Sequence, residues 1–369
     1  MTLYAMFSQL DDPRIERGRQ HLLEDIIMLV LCGTIAGAQH YHEIASYGHY
    51  KYDMLKEFLA LPHGIPASVT LWRVFERLDS SQLESCLRQY GAQILRSLSD
   101  KHISMDGKQM RGTGKQDVGN LHVVSAWLNG EGLTLGQQSV DSKSNEKTAI
   151  PKLLEQLDVS GSLISIDAMG CSPTIAEKIA AEGADYLLAL KANNGFLYEQ
   201  VRDHLDQALE GYLGDDLHVE VDFGHGRLER RTCYVSEALQ WIEGASDWKA
   251  LASVAVVESE RESKGQSSIK RRYYLCSRTD VTAQQVLHWS RNHWGIENNL
   301  HWVLDVAFGE DASKVNTGQG AINLATVRKL AMRILQEDNQ MKGSFKTKRK
   351  IAGWNDDYMK AILKKVIDP

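Results

Sequence analysis

The sequence predicts an α/β protein: a mixed sheet flanked by helices, preceded by an N-terminal helical domain and interrupted by a β-rich insertion. Three observations carry this. Residues 1–100 place apolar residues at helical spacing. From about 101, three strand-like segments follow one another before helix and strand alternate. From about 215 to 285 the strand texture returns.

In order, "RQHLLEDIIMLVLCGTIAGA" and "YHEIASYGHYKYDMLKEFLAL" read as helices. "LPHGIP" (Leu61–Pro66) breaks the pattern, and Ser68 is the expected cap of an amphipathic helix, "VTLWRVFERL". Short helices around a tight turn fit a DNA-reading unit with Arg73 and Arg77 exposed, and equally a plain bundle. "HISMDGKQM" reads as a strand ending in Asp106, and "LHVVSAWLN" and "LTLGQQSV" as two more, joined by the turn "NGEG". "EKTAIPKLLEQL" is a helix and "SLISIDAMG" a buried strand ending in Asp167. "SPTIAEKIAAEG" is a helix with Ser172 as cap and Pro173 in its first turn, and "DYLLALK" is a strand. The insertion holds "LHVEVDFGHGRLERRTCYVS", "WKALASVAVVESERE" and "KRRYYLCSR" as strands. Helix signals resume at "TAQQVLHWSRNHWGIENNLHWVLD" and again over Gly320–Leu335, before the basic stretch "KGSFKTKRK".

The 369 residues suffice for two or three domains. With 43% hydrophobic and 24% charged residues the composition is that of an ordinary soluble globular protein. A net charge of -6 advertises no global field for nucleic acid, so any such binding must use local basic patches. The five cysteines are scattered with no C-x-x-C pair, which points to reduced thiols in a cytoplasmic protein. The N-terminus lacks the pattern of a signal peptide, and the longest apolar run, Ile26–Ala38, is too short to span a bilayer. No membrane partner is expected.

Asp106 and Asp167 share a context, each ending an apolar strand before small or polar residues ("MDGK", "IDAMG"). Adjacent strands bring such side chains close, and two unpaired carboxylates repel unless a cation lies between them. Magnesium accepts one or two carboxylates plus substrate phosphate. A third carboxylate from a helix laid against the sheet would complete a site for two ions about 3.5–4 Å apart, the arrangement suited to phosphodiester displacement. In "SRNHWGIENNLHWVLDVAF" Glu297 is the candidate, since helical spacing brings Trp294, Glu297, His301 and Leu304 to one face. Packing of the tryptophans and leucines is expected to aim Glu297 at the aspartates. His301 is expected to pack or support rather than to ligate. Trp294 is read either as a base-stacking ring or as a buried one. A zinc site built from His293, Glu297 and His301 is excluded on a straight helix, because ligands spread over roughly 12 Å of rise cannot all reach one ion.

At these residues the sequence resembles the DDE transposases of bacterial insertion sequences, the H-repeat-associated kind. The matching blocks span most of the chain: "LDDPRIERGRQHLLEDIIMLVLCGTIAGA" with "LPHGIPASVTLWRVFERLD", then "SMDGKQMRG", "LISIDAMGC", "DYLLALKAN" and "HWGIENNLHWVLDVAFGEDAS". The resemblance implies a ribonuclease-H-like fold over 99–369, with the insertion at about 215–285 and a helical, basic C-terminal end. It implies a DNA-binding role for the helical domain 1–98. It implies a triad of Asp106, Asp167 and Glu297, both catalytic and metal-holding, with two Mg2+ for which Mn2+ can substitute. The implied partners are double-stranded DNA, as transposon ends and target, bound by a dimer, and the implied location is the cytoplasm, at the nucleoid.

The chain departs from the wider group's Tyr-x2-Arg-x3-Glu-x6-Lys pattern, holding Ser290, His293 and Leu304 around Glu297. His293 retains the ability to donate to phosphate. Ala192 stands where the family's "ALKGN" has glycine, which predicts a restricted backbone there. Lys108 and Arg111 either meet the DNA backbone or sit on a solvated loop, and Lys191 at a strand end is a further DNA-binding candidate. The leading function is metal-dependent DNA cleavage and strand transfer. The alternative is a transposase-derived DNA-binding or regulatory protein with weak or lost catalysis.

Overall fold

A computed structural model describes residues 1–95, 97–114, 120–140, 145–211, 217–224, 227–263 and 266–367. The start of the expected insertion (residues 215–216) and His225 and Gly226 of "GHGRLERR" lie outside them.

One mixed sheet of nine strands organises the molecule, in the order β3-β2-β1-β4-β5-β9-β8-β7-β6. The strands are β1 His102–Met110, β2 Leu121–Leu128, β3 Leu133–Val140, β4 Leu163–Ile166, β5 Asp185–Leu190, β6 Leu217–Gly224, β7 Arg227–Ser236, β8 Ser253–Ser263 and β9 Gln266–Cys276. β1 runs parallel to β4 and β4 to β5, and the other pairs are antiparallel. The expected mixed sheet is therefore present. The β-rich segment is an antiparallel extension of the same sheet, joined edge to edge through β5 and β9.

Apolar content explains where the sheet is buried. β4 is covered on both faces and reads as an unbroken apolar-and-serine run, "LISI". The helices Glu146–Leu154 and Pro173–Ala181 cover one face through Ile150, Leu153, Ile175 and Ile179, against Ile103, Met105, Ile164 and Ile166. The helix Ala283–His293 lies on the opposite face, with Val286, Leu287 and Trp289 against Leu163, Leu187 and Cys276. A second core is built mainly from helices, with Trp127 of β2 packed into it. It joins the N-terminal helices, through residues such as Ile26, Leu29 and Phe75, to Leu300, Leu304, Leu330 and Leu363 from the last part of the chain.

Several sequence expectations are corrected. β1 does not end at Asp106 but continues to Met110, because its antiparallel partner β2 supports it that far while β4 stops pairing at Met105. Ser68 is the first helical residue rather than a cap. The preceding Ala67 offers no side-chain acceptor, whereas Ser172 does accept from the Ile175 N–H as expected. The basic stretch near 345–350 is partly internal. Lys348 and Arg349 are buried, Arg349 donating to the carbonyls of Thr34 and Ala307 and so tying C-terminal helix to N-terminal helix. Ala192 takes a negative φ and the left-handed position falls on Gly195, so the extra methyl restricts nothing. All five cysteines are buried. No helix among the described residues is long and apolar enough to cross a membrane.

Candidate active site

In the parallel β1–β4 ladder Met105 pairs with Ile166, so the residues that follow, Asp106 and Asp167, stand side by side. Asp167 lies one residue beyond β4, where its Oδ1 accepts from the N–H of Met169 at 2.9 Å and of Gly170 at 3.4 Å. The short "DAMG" turn thus fixes the carboxylate through its own backbone.

Glu297 arrives from the other side. The helix Ala283–His293 ends near Trp294, and Glu297–His301 forms a π-helical turn in which the Trp302 N–H reaches back to the Glu297 carbonyl. Such wide turns recur at functional sites because they re-aim side chains that a regular helix would hold apart. Here His301 Nδ1 lies 3.3 Å from Glu297 Oε2 and 3.6 Å from Asp106 Oδ2. Ligand atoms of Asp106, Glu297 and His301 all fall within 4.8 Å of one another. The π-turn also overturns the expected packing. Trp294 and Trp302 are 46% and 61% exposed, and the segment is anchored instead by Ile296, Leu300, Val303 and Leu304. Trp294 stands beside Arg272, whose guanidinium lies 5.2 Å from the ring centroid.

The electrostatics of the cluster are those of an uncompensated anionic site. Burial pushes Asp106 up, and the charges of Glu297, Asp167 and Glu146 push it further, to about 8. Burial and the Glu146 charge raise Asp167 as well, against the two backbone N–H groups and Lys191. Glu297 is held down, first by its hydrogen bond with His301. The donor set, carboxylate oxygens with one imidazole, suits a hard divalent cation, and the mutual repulsion is what such a cation relieves.

Beneath Asp106 runs a polar strip. Ser165 Oγ lies 2.8 Å from His102 Nε2, 2.9 Å from His293 Nδ1 and 3.2 Å from Ser104 Oγ, and Ser104 accepts from Asn129 Nδ2 at 2.7 Å. Burial drives His102 down to about 3 and His293 down to about 4, so both rings are neutral near pH 7. His293 thereby pins its helix to β4. It offers no cation to a phosphate, and the DNA contact expected of it finds no support in this placement.

Lys108 is also committed internally. Its ammonium binds Asp305 and Glu310, the latter at 3.1 Å, with Asp311 at 3.9 Å. Arg111 is 84% exposed and only 3.7 Å from Asp311, and Lys191 is exposed at the end of β5. Arg73 and Arg77 are exposed on the helix Ser68–Arg77.

One residue is not legible in the sequence, and one surface is legible only as basic segments of the insertion that either touch DNA or form a soluble hairpin surface. Glu146 heads a helix beside the aspartates and pairs with His122 Nε2 at 2.9 Å. In the sequence it is an ordinary first-turn acid. Arg231, Arg261, Lys270, Arg272 and Arg291 line one groove that runs along β7–β9 to Trp294 and Asn298, the neighbour of Glu297. The "KRRYY" run hinted at it, but only strand pairing aligns alternate cations from three strands on one face.

With the geometry described, two family models match the chain: a DDE_Tnp_1-associated model over residues 4–91 and a transposase DDE domain over residues 97–334. Among similar proteins, one from Escherichia coli O157:H7 named "Putative transposase YncI" is 36% identical, over 98% of this chain and 94% of that protein. A second, from Escherichia coli K12, named "H repeat-associated putative transposase YhhI", is 34% identical over 93% of each. A third, from Xanthobacter autotrophicus and named "Uncharacterized protein in dhlA 3'region", is 37% identical over 74% of this chain and 93% of that protein.

Proposed function

Because the chain belongs to the DDE transposases of bacterial insertion sequences, the H-repeat-associated kind, we propose that it cleaves DNA at transposon ends and transfers the strand to target DNA. The observation that supports this reading is that Asp106, 13% exposed at its side chain, shares one group with the exposed Glu297 and with His301, while Asp167 follows the adjacent strand and adds its charge. The strand order β3-β2-β1-β4-β5, antiparallel and then parallel, supports a ribonuclease-H-like catalytic core.

Asp106, Asp167 and Glu297 would hold the divalent cations. Bound there, Mg2+ supplies Lewis acidity and activates water for in-line phosphodiester displacement. The chain's own residues supply position. His301 orients Glu297, the Met169 and Gly170 N–H groups orient Asp167, and Lys108 ties the strand of Asp106 to the segment after Glu297. Arg111 and Lys191 flank the site, and the Arg231–Arg272 groove is the surface for the DNA backbone, with Trp294 at its end for stacking on a base. Arg73 and Arg77 give the N-terminal helices a second DNA-facing surface. Two transposon ends handled together call for a dimer on DNA.

The test is cleavage of a DNA carrying the element's terminal repeats, with Mg2+, against Asp167→Ala. Magnesium-dependent nicking at the repeat ends, lost in the variant, is expected. Specific binding without nicking by the wild type would instead favour a regulatory protein.

A further inference from the structure

We propose that Glu146 is a fourth carboxylate of the metal centre, oriented by His122 and admitted to it by Gly107. The proposal rests on the transposase reading and deepens it.

Glu146 opens the helix Glu146–Leu154, which Asn145 caps. Its carboxylate is directed across β1 at the residue after Asp106. A Cβ on Gly107 would collide with Glu146 Oε1 and would lie 2.5 Å from both Glu146 Cδ and His122 Nε2. Gly107 does not have a positive φ, so its backbone makes no demand for glycine. The demand comes from the carboxylate that occupies the space of the missing side chain.

Successive residues of β1 point to opposite faces. Asp106 faces the π-turn of Glu297, so Gly107 faces the helix of Glu146. A side chain at 107 would displace the Glu146 carboxylate and the His122 ring from the strand. Without one, the carboxylate lies against β1 at the residue after Asp106, where β4 has stopped pairing.

A purely structural acid at this helix start gains from the helix dipole and from His122, and both would serve it anywhere on the first turn. Neither requires a carboxylate that is 13% exposed and fills the space beside Gly107. After burial, its charge is the leading influence raising Asp167, and it also raises Asp106. Placing a further carboxylate among three others is costly unless cations share it. Asp106, Glu297 and His301 lie within 4.8 Å of one another, while among the neighbouring charges it is Glu146 that raises Asp167 most. Two ions in such a site each need oxygen ligands, and Glu146 serves the one at Asp167 directly or through a bound water.

Titration calorimetry of the full chain with MnCl2, paired with melting curves with and without Mn2+, tests this on wild type, Glu146→Gln, Gly107→Ala and Asp106→Asn. The wild type is expected to bind Mn2+ and to melt higher with it. Glu146→Gln is expected to weaken the weaker binding event at least tenfold and to shrink the metal-induced rise. Gly107→Ala, which only displaces the carboxylate, is expected to reproduce that loss, and it carries the test if Glu146→Gln fails to fold. Wild-type binding and an unchanged melting rise in both variants would make Glu146 a mere strut for His122 and overturn the proposal, leaving the triad intact. Absence of Mn2+ binding by the wild type, or full binding by Asp106→Asn, would sink the triad and this proposal with it.

Discussion

Asp106 and Lys108 lie two residues apart on one strand, are 13% and 11% exposed at the side chain, and meet opposite treatment. Burial by itself would strip Lys108 of its charge, but Glu310 and Asp305 outweigh burial and raise its pKa. Glu310, 1% exposed, is lowered in turn by Lys108, Arg328 and Lys329 against its own burial. Nearby, Lys329 donates to Ser125 and Gln137, and Gln137 donates to Glu84. Each buried charge here has an answering charge or dipole. Around Asp106, burial and the neighbouring carboxylates act in the same direction, and the one basic group at hand, His301 at 3.6 Å, does not reverse them. Buried charge that is answered is architecture; buried charge left unanswered marks a place for a ligand.

The largest effect that could break this contrast is catalytic. Asp106→Asn is expected to lower magnesium-dependent cleavage by roughly 10⁴-fold, the several kcal/mol attributed to metal-assisted charge stabilisation. Its metal-free melting temperature should hold or rise, because asparagine is already neutral and, unlike Asp106, need not take up a proton to be buried there. A variant that unfolds without metal would show Asp106 to be structural and erase the distinction. Next comes Lys108→Met, which strands Glu310 and Asp305 beside an apolar side chain. Breaking such a buried network costs about 3–5 kcal/mol, read from urea denaturation, and adding Glu310→Gln should recover part of it. A loss below about 1 kcal/mol would mean that Lys108 is no clamp.

The same pair shows what the sequence reveals and what it conceals. Asp106 and Asp167 are legible because each follows a run of mostly apolar residues, and strand order alone makes their neighbourhood plausible. Glu297 is legible through its place in a block shared with related proteins, though the mechanism read from helical spacing is not the one found. A π-turn has no spacing of its own, so helical spacing predicts packing for Trp302 and either packing or base stacking for Trp294, whereas both face solvent. Lys108 looks in sequence like a free cation beside an acid. Its partners Asp305 and Glu310 lie about two hundred positions away and only the fold brings them together. Glu146 was missed for the same reason. The strands of the insertion were readable by alternation, but their edge-to-edge union with β5 was not, since a row of unpaired backbone groups carries no label of its partner.

A smaller effect sharpens the contrast through pH. Asp106 is raised to about 8, from an unfolded value near about 4. Between those limits the folded, metal-free protein keeps a proton that the unfolded chain has released. Its contribution to stability is therefore full below about pH 4 and is lost as pH rises toward 8. A divalent cation must displace that proton. Affinity for Mg2+ or Mn2+ should accordingly climb by up to about tenfold per pH unit through this window and level off above it. Calorimetric titrations from pH 5.5 to 9 read this directly. A flat profile would mean that the carboxylates already share their charge with something inside the protein, as Glu310 does.

The smallest effect concerns surface cations held by at most one loose ion pair, as Arg111 is by Asp311 at 3.7 Å. If the exposed Arg111, and Lys270 and Arg272 in the groove, meet DNA phosphates, each alanine substitution should reduce the slope of log K against log salt by about 0.9, the share of one released counterion contact. The loss should be similar on terminal-repeat and unrelated DNA, since backbone contacts position without reading sequence. Arg272→Ala should add a second signature, because its guanidinium lies over the Trp294 ring and its removal leaves that face open. A stacked base would then quench Trp294 fluorescence at least as strongly as in the wild type, although phosphate affinity has fallen. An unchanged salt slope in all three variants would remove the groove from the DNA path. The exposed cations of the insertion would then be as structural as Lys108, and the contrast would hold for carboxylates alone.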